Sequence, residues 1–417
     1  MIIIDQPGYL KKIDTIFNMK LLLAIVIMAV VSVAGSKITF LDRRLPLGFR
    51  NILFTGSEYI FIGILLGGMG LNILDSPSLE MLQPFLIFGL SWIGFLYGVQ
   101  FEVRFMRHLP RYYFSMSALQ GTITFIVITG LFYLVLNGTA ELTDSSRLIL
   151  SLILGATGTC TAQSAIAIVN RNYRIQNRSL VELLRYISSV DGLFALGFVV
   201  VSLSIAAGFR GTSFSIQSFL MNAGLSLIIG IVPAIIFILL SRVRFTQQEF
   251  LVFIIGTIMF CGGLAMRMGQ SPLVSGLVCG IIVANLCRHR LRAMEIVMHA
   301  EKSIYIILLL FLGASWQLII GPGLLLAALY PLFRITGKTA GMWLAIKRFK
   351  PRFPAPSSLG LGLISEGGLA VAIVLEFCML YPVYAKPLIT IVIVSIIINE
   401  LLSPRLILAQ FKGAEKL

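Results

Sequence analysis

The sequence predicts an all-α polytopic membrane protein of about 13 transmembrane helices, arranged as two inverted six-helix repeats with broken, crossing helices five and twelve. Three observations carry the all-α membrane class and the helix count. Hydrophobic residues make up 58% of the 417 and charged residues only 12%, against about 45–50% and 25% in soluble domains. Apolar runs long enough to cross a hydrocarbon layer of about 30 Å recur along the whole chain. The connections between those runs alternate in charge, as they do when one side of the membrane holds the lysines and arginines.

The runs fall at 20–36, 52–72, 84–100, 114–136, 147–169, 186–207, 216–240, 250–266, 272–287, 302–319, 323–346, 358–380 and 388–408. They are called segments one to thirteen below. Connections are short, and no stretch reads as an appended soluble domain, so residues 1–417 form a single membrane domain. The loops after the odd-numbered segments hold 24 of the 33 lysines and arginines, and the opposite side holds 7. This places the N-terminus outside and the C-terminus in the cytoplasm, with a bacterial inner membrane as the expected location. Lys11, Lys12 and Lys20 ahead of segment one oppose that orientation locally. With the apolar run and Ala34-Gly35-Ser36 they also resemble a signal peptide.

The net charge of +15 is on this reading a topology signal. Its partner is acidic lipid headgroups, not nucleic acid. The five cysteines, Cys160, Cys261, Cys279, Cys287 and Cys378, lie in apolar segments and match neither a disulfide framework nor a metal spacing. His108, His289 and His299 lie apart, in basic loops. No catalytic motif is present, so the chain is not read as an enzyme, and no cofactor is expected.

Asp191 is the most informative residue, because it lies deep within segment six. A carboxylate there costs about 2.5–3.5 kcal/mol on insertion scales and marks an ion or proton site by default. The bland alternative is a structural ion pair with Arg334 or Lys338, which stand four apart on one face of segment eleven. Arginine suits a fixed charge, whereas lysine can titrate. Glu366 is a second mid-segment acid, in segment twelve.

Segment five carries Gly155-Ala-Thr-Gly-Thr-Cys-Thr-Ala-Gln163 and segment twelve carries Ser365-Glu-Gly-Gly368. Small and hydroxyl residues at mid-membrane weaken a helix, and a pair of interrupted helices in corresponding halves points to a transporter site. Segments five and twelve are related by a shift of seven. That is the spacing of two repeats, segments 1–6 and 8–13, inverted about segment seven. Ordinary small-residue packing is the competing reading for the glycines alone.

These residues resemble the monovalent cation:proton antiporter superfamily, in its sodium/proton exchanger and Kef-like membrane domains. The third-helix Gly-Leu-Glu-x-Asp signature is matched by Gly98-Val99-Gln100-Phe101-Glu102. The fifth-helix Thr-Asp-Pro is matched by Thr161-Ala162-Gln163, and the sixth-helix acid pair by Val190-Asp191. Ser271-Pro272-Leu273-Val274-Ser275-Gly276 with Asn285, then Gly337-Lys338, then Glu366-Gly367-Gly368 resemble helices nine, eleven and twelve. The resemblance spans roughly residues 20–410. Three helices depart from the pattern: Ala162 and Gln163 replace the fifth-helix acid and proline, Val190 stands at the partner position of the sixth-helix acid, and Glu366 occupies a position where the family often has arginine or glutamine.

The resemblance implies a secondary antiporter that exchanges protons for a monovalent cation, sodium or potassium. Asp191, Thr161, Ser188 and Glu366 would bind the ion or proton, with Asp191 holding the cation. Arg334 and Lys338 would compensate charge, and Ala162, Gln163, Gly367 and Gly368 would form the helix breaks. Residues 20–100 and 250–319 would be scaffold and homodimer surface, 114–207 and 323–408 the translocating core, and 216–240 the linker helix. Gly63 and Gly67 would help close packing in the scaffold. One acid on segment six implies one proton traded for one cation, unless Glu366 also titrates. A repurposed, non-transporting membrane scaffold or sensor is the alternative that the missing fifth-helix acid raises.

Overall fold

The computed structural model describes residues 7–37, 56–103, 110–138, 143–163, 165–166, 178–210, 213–242, 245–317, 322–351 and 353–414. It is an all-α polytopic membrane protein. Among the described residues, seven helices are long and apolar enough to span a bilayer, and three shorter apolar helices accompany them. The pairing of Phe209–Arg210 with Ser213–Phe214 is a two-residue β-hairpin between segments six and seven. Much of the basic-loop signal, including Arg43, Arg44, Arg171 and Arg174, lies outside the described residues, as does His108.

The apolar runs become helices at Pro7–Lys37, Glu58–Leu66, Gln83–Val99, Arg111–Asn137, Asp144–Thr159, Arg178–Gly208, Ile216–Leu240, Gln247–Arg267, Pro272–Leu286, Arg290–Ala314, Pro322–Phe349, Gly368–Leu380 and Ala385–Ala414. Several ends follow from local chemistry. Thr246 opens segment eight with a reciprocal capping box to Glu249. Ser271 caps segment nine ahead of Pro272. Segment two is shorter than the hydropathy run, because Gly67 ends the helix and the chain turns back through Gly70 to pair Gly67 with Leu74. Segment ten starts twelve residues before its apolar run, since the amphipathic stretch from Arg290 extends the same helix.

The packing obeys the shift of seven. Segment three lies on segment nine, and segment two on segment ten. Segment four contacts five and six, and segment eleven contacts twelve and thirteen. Segment one lies on ten, and segment eight on three. Segments 4–6 and 11–13 therefore gather into one bundle and segments 1–3 and 8–10 into another, with segment seven touching both. The close crossings are made by glycine. A Cβ on Gly276 would sit 2.2 Å from the Ser91 carbonyl oxygen, and one on Gly313 would sit 2.1 Å from that of Ile60. Gly63 and Gly67 face the backbone of Leu310 and Ala314, so this motif joins segments two and ten of the same chain.

Candidate functional site

Segment five is helical to Thr159 and then runs extended through Cys160, Thr161 and Ala162 before resuming at Gln163. Segment twelve begins as a short 3-10 turn, Leu359–Leu363, loses helical structure through Ile364–Gly367 and resumes at Gly368. The two interruptions pass each other at one point, where the Ala162 amide donates to the Ser365 carbonyl at 2.9 Å. Gly367 permits this approach, for a Cβ there would lie 3.1 Å from that of Ala162. Ala162, Gln163, Gly367 and Gly368 all fall at the breaks.

Each break leaves carbonyl groups without helical partners, and two helix C-terminal ends converge there with their negative dipoles. Segment eleven supplies the cations. Arg334 is fully buried. It donates through Nε to the Gly158 carbonyl at 3.1 Å and through Nη2 to the Ser365 carbonyl at 3.3 Å, and bonds those of Cys160 and Ile364. One guanidinium thus ties both breaks together, using the fixed fork of donors that lysine lacks.

Lys338, one turn on and also fully buried, directs all three of its N–H groups into the site. It donates to the Thr159 carbonyl at 2.5 Å, to Thr161 Oγ1 at 2.7 Å and to Asp191 Oδ2 at 2.8 Å. Asp191 is completely enclosed. Thr161 donates to its Oδ2 at 2.7 Å, with the Leu363 carbonyl a second acceptor at 3.3 Å. Ser117 of segment four donates to Oδ1 at 3.2 Å. A carboxylate, an ammonium, two hydroxyls and two main-chain carbonyls are thereby collected at the crossing.

Glu366 pairs separately, its Oε1 lying 3.2 Å from Arg334 Nε and accepting from Ser395 at 2.9 Å. Ser188 does not add its hydroxyl to Asp191. The side chain is buried, but a serine on a helix readily bonds back to its own backbone, and here Oγ donates to the Arg185 carbonyl at 3.0 Å. Ser117 fills that role instead.

Two further intramembrane acids meet the criterion that singles out Asp191. Glu376 accepts from Ser271 Oγ and from the Leu273 amide, each at 2.8 Å, and so fastens segment twelve to the N-terminus of segment nine. Glu400 accepts from Ser365 at 2.8 Å. The third-helix motif is anchored as well: Asn285 bonds the Phe101 carbonyl and the Val103 amide, each at 2.9 Å, and Glu102 pairs with Arg290 at 2.8 Å.

A cavity of about 820 Å³ opens between the two bundles. Its rim carries Glu102, Arg185, Glu301 and Lys302, and its floor reaches Ala162, Gln163, Glu366 and Gly368. Asp191 does not line this cavity. All five cysteines are buried and unpaired.

Solved structures share this architecture. The sodium proton antiporter MjNhaP1 from Methanocaldococcus jannaschii, in its structure at pH 8, superposes with a TM-score of 0.68 at 16% identity, over 94% of this chain and 99% of that one. An electron-microscopy map of the same protein gives 0.56 at 18% identity, over 98% of each chain. No curated protein matches the chain. The family model of the transmembrane sodium/hydrogen exchanger domain matches residues 50–408. With that span covering most of its length, the chain belongs to the sodium/hydrogen exchanger family.

Proposed function

We propose that the chain is a secondary antiporter that trades protons for a monovalent cation, sodium or potassium, at Asp191. The observation that carries this is the enclosed cluster of Asp191, Lys338 and Thr161 where the two broken segments cross. Sodium and potassium are bound by oxygen. Asp191, Thr161, Ser117 and the Thr159 carbonyl offer it from several directions.

In this state the Lys338 ammonium occupies the place a cation would take. An arriving cation displaces it from Asp191 Oδ2. The Thr161 hydroxyl proton then turns to the Leu363 carbonyl and frees a lone pair for the ion. A cation and a proton, on the Asp191 carboxyl or the Lys338 amine, compete because together they would set two positive charges beside one buried carboxylate. That exclusion couples the two fluxes.

Arg334 keeps both breaks folded while the occupant changes. The segment 4–6 and 11–13 bundle would move against the rest to alternate access, as rigid-body motion of one bundle does in such folds. The scaffold would supply the homodimer surface. The basic loops would contact acidic lipid headgroups on the cytoplasmic side, with the N-terminus outside.

The test is dissipation of an imposed pH gradient in liposomes, with sodium, potassium and lithium added in turn. Collapse of the gradient with at least one cation is expected. Silence toward all three, from inserted protein, would leave the non-transporting scaffold or sensor as the reading.

A further inference from the structure

We propose that Glu366 is a second proton-carrying site, separate from Asp191 and loaded from the cavity between the two bundles. This deepens the antiport reading above and rests on it for its place in the cycle.

Four observations support it. Glu366 lies on the cavity floor, whereas Asp191 does not line the cavity. Its Oε1 is engaged by Arg334 and Ser395, whereas its buried Oε2 makes no hydrogen bond, although the Asn399 amide lies beside the carboxyl. A second buried acceptor without a partner hangs from the same hydroxyl: Asn399 donates through Nδ2 to Ser395 Oγ at 2.9 Å, and Asn399 Oδ1 is unsatisfied. Orphaned acceptors of this kind are costly in a dry interior, and a proton on Oε2 supplies the donor such a place lacks. Finally, Arg334 is already committed to the carbonyls of Gly158, Cys160, Ile364 and Ser365. Neutralising Glu366 therefore leaves the guanidinium balanced by the two helix ends, which sets this acid apart from Asp191, whose loss would strand Lys338.

The ionisable groups around Glu366 are Arg334, Lys338 and Tyr330 of segment eleven, Tyr305 of segment ten, Cys160 of the segment five break and Glu400 of segment thirteen. A cation here would meet Arg334 at close range and find one free carboxylate oxygen. A proton suits the place better.

The step is a simple protonation. A proton leaves cavity water, forms the O–H bond at Oε2, and returns to water when the core faces the other side. With Asp191 trading one proton for one cation, Glu366 adds a second proton, so each turnover moves net charge.

The experiment has two arms. In liposomes clamped by valinomycin at several potassium gradients, with sodium as the transported ion, the null-flux point of the wild-type protein should shift with voltage. Glu366→Gln should abolish the shift. A voltage-independent wild-type null point, or a shift that survives in E366Q, overturns the proposal. Absence of wild-type flux with sodium, potassium and lithium alike would instead count against the antiport reading. The second arm then still decides the carboxyl. In infrared difference spectra of the purified protein between acid and alkaline pH, the protonated-carboxyl region should contain a component that is lost in E366Q and retained in Asp191→Asn. An E366Q spectrum identical to wild type in that region overturns the proposal whatever the flux.

Discussion

Replacing Asp191 by asparagine keeps the side-chain size and removes the charge that holds Lys338. The ammonium has three acceptors, and the substitution takes the only charged one, at 2.8 Å. The Thr159 carbonyl and Thr161 hydroxyl remain, but neither carries charge to balance a fully buried lysine. Breaking a buried pair from one side costs about 3–5 kcal/mol, because an uncompensated ion is left behind. That corresponds to more than about a hundredfold in the folded ratio. Removing both charges, as in Asp191→Asn with Lys338→Met, leaves no ion stranded and should recover much of the loss. The expected coupling between the two sites is about 2–3 kcal/mol. Thermal melts of the detergent-solubilised protein read the stability term, and pH-gradient dissipation in liposomes reads transport. D191N should melt well below wild type, the double variant should lie between them, and neither should exchange. Exchange by D191N at the wild-type rate would refute the mechanism, and a D191N no less stable than the double variant would refute the stranded-charge argument.

Three other expectations follow from the packing. Glu376→Ala leaves the buried Leu273 amide without its acceptor and should lower stability by about 1–3 kcal/mol, whereas Glu376→Gln keeps an acceptor and recovers most of it; equal melts for the two would count against the contact. Gly276→Val drives a side chain into the Ser91 carbonyl 2.2 Å away. It should cost about 1–3 kcal/mol or more, while Gly256→Ala, with nothing within 4 Å of the new Cβ, should melt like wild type. Lys350→Cys, at an exposed position after segment eleven, should resist an impermeant thiol reagent added outside intact cells; labelling there would reverse the assigned orientation.

The spans, the two breaks and the repeat are legible in the sequence because bilayer thickness and helix rise leave few alternatives. Sequence also places Arg334 and Lys338 on one face, but it cannot say which acid each would meet. The reason is geometric: Arg334 is held mainly by main-chain carbonyls of the two breaks, and main chain has no sequence signature. Ser117 is not legible because its link to Asp191 spans 74 residues. Ser188 lies one helical turn before Asp191, but sequence says nothing about a hydroxyl bonding back to its own turn. Glu376 and Glu400 were readable by the test applied to Asp191. Their segments had no interruption at those positions to draw attention to them.

The missing acid of segment five takes on a different meaning in this setting. Ala162 stands where the resembled family carries a carboxylate, and its amide bonds Ser365, the residue before Glu366. The two breaks are therefore one local structure, and a charge lost from one strand of the crossing can be supplied by the other. Arg334 spans both strands, so an acid on either side sits within its field. Glu366 also accepts from Ser395, whose hydroxyl accepts in turn from Asn399. Loss of the fifth-helix acid is thus weak grounds for loss of transport. It is better grounds for a site whose second ionisable group has moved across the crossing, from segment five to segment twelve, while Asp191 and Lys338 stay at its centre.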